Sequence, residues 1–195
     1  MIFLQKIKTK FSEIPKQVYK FIGRAIIIFF IWKLLYHVFL FSNRTLDAPF
    51  TSFTAVGTAK ILKVFYPSSD FSIKSHVKQF NQSDSSKVYS EIVYKETRPI
   101  LSIADGCNAL ELIILFTGFI LCIPMNIKRT AAYIFGGSLL LYLINILRCA
   151  VIGVLNISNN KLTDIAHHYL FKLIVYFIIF LLWKSYLQAF KHEEE

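Results

Sequence analysis

Four stretches of the chain are apolar long enough to cross a bilayer, at about residues 22–42, 107–124, 130–150 and 166–183; roughly 18 to 20 such residues are needed. The second, from Cys107 to about Pro124, would measure roughly 27 Å as a helix. Ahead of the first run, Phe3, Ile7, Phe11, Ile14, Val18 and Phe21 recur at helix-like intervals among Lys6, Lys8, Lys10, Lys16 and Lys20. That pattern predicts a basic amphipathic arm over 1–21 lying on a membrane surface, broken or kinked at Pro15. The run at 22–42 exceeds the apolar core of a signal peptide and lacks a small-x-small cleavage site after it, so it reads as an uncleaved anchor. Lys33 and His37 sit four residues apart on one face of it, and ionisable groups within a span are expected to face the protein interior.

Residues 43–106 form a long polar connection. Phe50, Phe53, Val56, Ile61, Leu62 and Phe65 predict a helix over about 50–66 that lies on or dips into the interface, ended by Pro67-Ser68-Ser69-Asp70. Lys87–Tyr94 and Ile100–Ile103 alternate like short strands around Lys95-Glu96-Thr97-Arg98-Pro99, a small hairpin leading into Asp105-Gly106-Cys107. Further on, Ala131-Ala132 and Gly136-Gly137 are small enough to let helices approach closely. Trp183-Lys184 with Tyr186 is an aromatic and basic anchor at the interface. The expected fold is an all-α integral membrane protein: about four transmembrane helices, an amphipathic N-terminal segment, an interfacial helix and an extracytoplasmic β-hairpin before the second span. Its parts are the arm (1–21), the first span (22–42), the extracytoplasmic or interfacial segment (43–106), a three-helix membrane core (107–186) and a frayed tail (187–195).

Composition agrees: 55% hydrophobic with 19 Phe is too apolar for an ordinary soluble domain of 195 residues. The net charge of +10 does not indicate nucleic acid, because the basic residues cluster beside apolar runs. Anionic lipid headgroups are the expected partner. Three cysteines with no CxxC pair exclude a disulfide framework or structural zinc, and leave a free thiol to explain. No glycine-rich phosphate loop is present. Two adjacent histidines point about 100° apart on a helix and rarely share an ion, so neither metal nor cofactor is expected.

Basic residues near span ends set orientation. The arm, Lys128-Arg129, and Lys184 with Lys191 mark one side, and the opposite short loop holds only Lys161. Both termini and the 126–129 loop are then cytoplasmic. Cys107 begins an inward-going helix, Arg148 ends an outward-going one, and His167-His168 begin the last inward one. All three reach one depth at the outer face. A thiol at a helix N-terminus is favoured as thiolate, a histidine can take and return its proton, and an arginine fork can hold an oxyanion or carboxylate. That is the parts list of an acyl-transfer site. Each residue alone has a plainer role: Cys107 as a small buried hydrophobe, Arg148 as an anchor, the histidines as interfacial packing. Only their joint placement points to chemistry. Glu111, four residues after Cys107 and one turn deeper, is expected to pair across the bundle with Arg148, Lys33 or His37. Cys122 lies near the cytoplasmic end, and Cys149 is about 100° around the helix from Arg148; both read as packing residues, with Cys149 a weak alternative thiol.

Gly106-Cys107-Asn108, then Asn145-Ile146-Leu147-Arg148 ending the next span, then His167-His168-Tyr169-Leu170-Phe171 opening the last, resemble the motifs of the exosortase/archaeosortase family of membrane sorting enzymes. The compact size, Phe-rich composition and Leu-Leu-Trp-Lys ending of the last span are closest to the short exosortase F type of Bacteroidetes-like bacteria. The resemblance covers about residues 87–186. It implies a cysteine transpeptidase or protease of the bacterial cytoplasmic membrane, active on the extracytoplasmic face. Its substrates would be exported proteins with a C-terminal sorting signal: a motif, a transmembrane helix and a basic tail. Cys107 would be the nucleophile, Arg148 the transition-state stabiliser and His167 the proton shuttle, with His168 the alternative and Asn108, Glu111 and Asn145 in support. Larger members often carry Gly two residues after the Cys, where this chain has Ala109, and Gly four residues after the His, where counting from His167 gives Phe171. The competing expectation is a non-catalytic membrane assembly factor or transporter subunit that binds a partner transmembrane helix.

Overall fold

The structure is a computed structural model that describes residues 16–35, 44–79, 87–123, 125–159, 163 and 169–194. The protein is mostly helical with one three-stranded sheet, and two of its helices are long and apolar enough to cross a membrane. Helix α1 (Lys16–Leu35) starts six residues before the expected span, so residues 16–21 belong to it and not to a separate arm. The rest of the arm, His37 and the end of the first run lie outside the described residues. Ile26, Ile27, Phe29, Phe30 and Leu34 are exposed on α1. So is Lys33, contrary to the expectation that it faces inward; α1 packs on the rest of the chain along one side only, leaving no interior for it.

Helix α2 (Asp47–Phe65) falls where a helix over about 50–66 is expected, and its small and hydroxyl-bearing face is buried: Thr51, Thr54, Ala55, Thr58, Ala59 and Leu62. These recur at three- and four-residue steps, one stripe of a helix. The stripe packs on α4 (Ile127–Ile157), and small residues set the spacing. A Cβ on Gly57 would lie 3.0 Å from Ile146 Cδ1, and one on Gly153 would lie 3.1 Å from Leu62 Cδ1.

Strands β1 (Phe71–Gln79), β2 (Lys87–Lys95) and β3 (Arg98–Ala104) form an antiparallel meander in the order β1-β2-β3. The expected hairpin is β2–β3, closed by a two-residue turn with Glu96 at φ 57°, the backbone such turns require. The sequence reading did not foresee β1. Val93 faces Ile73 on one side and Leu101 on the other. Buried Val93, Ile100 and Ile103 join Ala55, Ala59, Leu62 and Cys149 in one core.

A 3-10 turn, Asp105–Cys107, leads to α3 (Leu110–Cys122). At 13 residues α3 is about 20 Å long, short of the roughly 30 Å hydrocarbon layer and shorter than the expected run from Cys107. By contrast α4, with 31 residues, reaches about 46 Å. It runs past Arg148 to Ile157 instead of ending near 150, and its last turns meet the sheet: Asn156 Nδ2 donates to the Ile100 carbonyl at 2.8 Å. Helix α5 (Phe171–Glu194) likewise outruns its expected end at 183 and takes up most of the tail.

A second core joins α3, α4 and α5 through Phe116, Ile120, Leu141, Val175, Ile179 and Tyr186. Gly137 is the tightest point: a Cβ there would clash with Phe116 at 2.3 Å, while at Gly136 nothing lies within 4 Å. Tyr186 is not an interface anchor. It is fully buried, and its hydroxyl donates to the Ile123 carbonyl at 2.5 Å, satisfying the end of α3. Trp183 stacks on Phe119 with centroids 4.3 Å apart.

Candidate functional site

The turn carrying Cys107 is held from the N-terminus of α2. Arg44 donates to Asp105 through two bonds, Nε to Oδ2 and Nη2 to Oδ1, both 2.7 Å. This is the parallel fork that only arginine offers a carboxylate. The guanidinium also lies 3.9 Å from the centroid of Tyr89, on β2. Its hydrogen bond to Asp105 raises the Arg44 pKa above its ordinary value, so it stays charged at any ordinary pH. Thr51 adds a hydroxyl to Asp105 Oδ1 at 2.8 Å.

Asn108, 1% exposed, sits at the centre of the turn. Its Nδ2 donates to Asp47 Oδ1 (3.1 Å) and Thr51 Oγ1 (3.2 Å), and its Oδ1 accepts from the Leu110 N–H at 2.9 Å. The Asn108 side chain therefore caps the first free N–H of α3, and the helix begins at Leu110, three residues after Cys107. Between them Ala109 has φ 69° and ψ −2°, left-handed backbone that costs an L-residue about 1–2 kcal/mol.

Two expectations fail for this reason. Cys107 is not at the first turn of a helix, so it does not gain the full pull of the dipole, which fades within one turn. Glu111 is not one helical turn below Cys107, because the left-handed residue between them redirects the chain. Glu111 is exposed and makes no ion pair among the described residues, with neither Arg148 nor Lys33. It lines a cavity between α1 and α3 instead.

Asn145 and Cys107 do come together. Asn145 is 1% exposed, and its Nδ2 donates to the Cys107 carbonyl at 2.8 Å. Cys107 itself is half-buried against the core that contains Cys149, which is buried. One turn along α4 from Asn145, Arg148 is half-buried. Its Nε is shielded from solvent and has no hydrogen-bond partner among the described residues, and the same holds for Asn145 Oδ1. Buried polar atoms are ordinarily paired, yet among the described residues an acceptor on Asn145 and a donor one turn further along α4 stand unused. His167 and His168 lie outside the described residues. Among those described, no three His, Cys, Asp or Glu side chains are grouped as metal ligands would be.

Arg44, Asp47, Thr51 and Asp105 were not among the expected site residues. The available signal was charge: an arginine just after the first span and an aspartate just before the thiol, on the two flanks of the polar connection. Compared with family models, curated proteins and solved structures, the chain matches none.

Proposed function

We propose that the chain is a membrane-embedded cysteine transpeptidase or protease of the exosortase/archaeosortase type. It cuts exported proteins at a C-terminal sorting signal on the outer face of a bacterial cytoplasmic membrane. The observation that carries this reading is the 2.8 Å bond from Asn145 to the Cys107 carbonyl. It brings the Asn-x-x-Arg segment onto the cysteine turn, with a guanidinium Nε one turn away that has no hydrogen-bond partner among the described residues.

In this reading α1, α3, α4 and α5 cross the membrane with both termini cytoplasmic. The short α3 sets the thiol below the outer surface, under the sheet and α2. The Cys107 thiolate attacks the scissile carbonyl, and Arg148 receives the developing oxyanion. His167 (or His168) protonates the leaving amine as the C–N bond breaks, leaving a thioester on Cys107. A water or an acceptor nucleophile then attacks the thioester, gives its proton to the histidine and frees the thiol. The chain's own contribution is positional: a fixed turn, a buried amide holding the backbone of the nucleophile, and a cation one turn along the same helix.

The test is processing of an exported protein bearing such a signal, in cells making wild type or Cys107→Ala at equal membrane levels. Loss of processing supports the thiol enzyme. Unchanged processing leaves the second reading, a membrane protein that binds a partner helix, which the exposed apolar face of α1 favours.

A further inference from the structure

Helices α1 and α3 pack against each other along one side of the protein. They meet where Phe21 packs edge-on to Phe119, 5.9 Å between centroids, and where Arg24 Nη1 donates to the Cys122 carbonyl at 3.2 Å. They meet again at Gly118, where a Cβ would stand 3.8 Å from Ile28 Cγ2. A cavity of about 610 Å³ lies between them, a volume suited to one small ligand. Its walls are apolar, with Phe29 and Trp32 on α1 facing Ile114 and Leu115 on α3.

One end of the groove is polar. Asp47, Asp105 and Glu111 border it beside Gly106, the residue before Cys107. Arg44 pairs directly with Asp105, whose two oxygens are taken by its fork and by Thr51, and its charge also acts on Asp47. Asp47 Oδ1 accepts from the neutral amide of Asn108, and Glu111 has no ion pair among the described residues. Among the described residues three carboxylates thus face one arginine at the mouth of an apolar groove, where low-dielectric walls strengthen the pull of the excess negative charge on a cation.

We propose that this groove binds a membrane lipid with a primary-ammonium headgroup, a phosphatidylethanolamine-type lipid. Its acyl chain lies between α1 and α3, and its ammonium sits at Asp47 and Glu111. A transmembrane helix is about 10–12 Å across and needs several times this volume. A lipid chain fits the space, and an anionic headgroup is repelled at the mouth. The inference rests on the membrane placement proposed above and is independent of the thiol chemistry.

The experiment is native mass spectrometry of the full chain in a neutral detergent, titrated with dioleoyl-phosphatidylethanolamine or dioleoyl-phosphatidylglycerol. One ethanolamine lipid is expected to bind at least tenfold more tightly than the glycerol lipid. Glu111→Gln, a conservative change at an exposed position, should reduce that preference several-fold. Leu115→Trp and Gly118→Leu, which fill the groove, should abolish the bound lipid while melting within a few degrees of wild type. Equal binding of the two lipids overturns the proposal, as does undiminished binding in both groove-filling variants. Recovery of the protein in carbonate-washed membranes tests the membrane placement separately, so its failure is distinguishable from failure of the lipid site.

Discussion

Asn145 and Cys107 are 38 residues apart in sequence and joined by a single 2.8 Å hydrogen bond from side-chain amide to backbone carbonyl. It is the direct tie between the long apolar helix α4 and the turn that precedes α3. Replacing Asn145 with Leu leaves the Cys107 carbonyl without its donor, which costs about 1–3 kcal/mol for a buried group. In a background lacking Cys122 and Cys149, maleimide should label Cys107 of Asn145→Leu faster than Cys107 of the parent. Equal labelling and equal melting temperature would show the bond to be dispensable.

The Arg44–Asp105 pair should behave as a geometric clamp more than as a charge pair. Its side chains are 25% and 24% exposed, between the exposed pairs worth up to about 1 kcal/mol and the fully buried ones whose breaking costs about 3–5 kcal/mol. Arg44→Lys keeps the charge but loses the two-pronged fit and the contact with Tyr89, so it should lose most of the stability that Arg44→Ala loses, on the order of 1–2 kcal/mol by the same scale. A double-mutant cycle of Arg44→Ala with Asp105→Asn, read by thermal melting, measures the coupling. Full rescue by lysine would contradict the clamp.

Ala109 offers a gain. Its left-handed backbone is free for glycine and strained for alanine. Ala109→Gly should therefore stabilise the protein by about 0.5–1 kcal/mol, a rise of roughly 1–4 °C for a chain of this size. Ala109→Val should lower the melting temperature. A fall with glycine would mean that this turn is not left-handed in the folded protein.

Much of this architecture was legible in the residue pattern, and what was missed has physical causes. The runs that became α4 and α5 are apolar all round, and the alternation in Lys87–Tyr94 and Ile100–Ile103 gave the hairpin. Strand β1 also alternates, with Phe71, Ile73 and Val77, but Ser75 and three intervening polar positions hid it within a polar connection. The buried stripe of α2 escaped because Thr51, Thr54 and Thr58 are not apolar by composition; they bury well only because Gly57 and Gly153 let the helices close. The start of α3 was placed three residues early, since nothing in the apolar run announces that the Asn108 side chain would cap Leu110. The Arg44–Asp105 bond spans 61 residues and has no local signal. The cysteine and the Asn-x-x-Arg segment were found because their motifs are local; His167 and His168 lie outside the described residues.

Gly137 and Gly136 make a matched pair for testing helix packing. A side chain at Gly137 meets Phe116, whereas at Gly136 it meets open space. Without a hydrophobic drive between helices in lipid, such close packing carries much of the association. Gly137→Leu should destabilise by about 1–3 kcal/mol or more through overpacking, and Gly136→Leu should be near neutral. Detergent-resistant folding, followed by size exclusion and melting, reads both. Equal effects at the two positions would contradict the α3–α4 contact.

The most direct test of the thiol mechanism is intact-mass analysis of the purified protein after incubation with a peptide carrying a C-terminal sorting signal. The account predicts an adduct equal to the N-terminal fragment of the cleaved peptide, mapped to Cys107, released by hydroxylamine as a thioester is, and absent in Cys107→Ala. Cleavage of the same peptide by Cys107→Ala at the wild-type rate, with no adduct on the wild type, would contradict it.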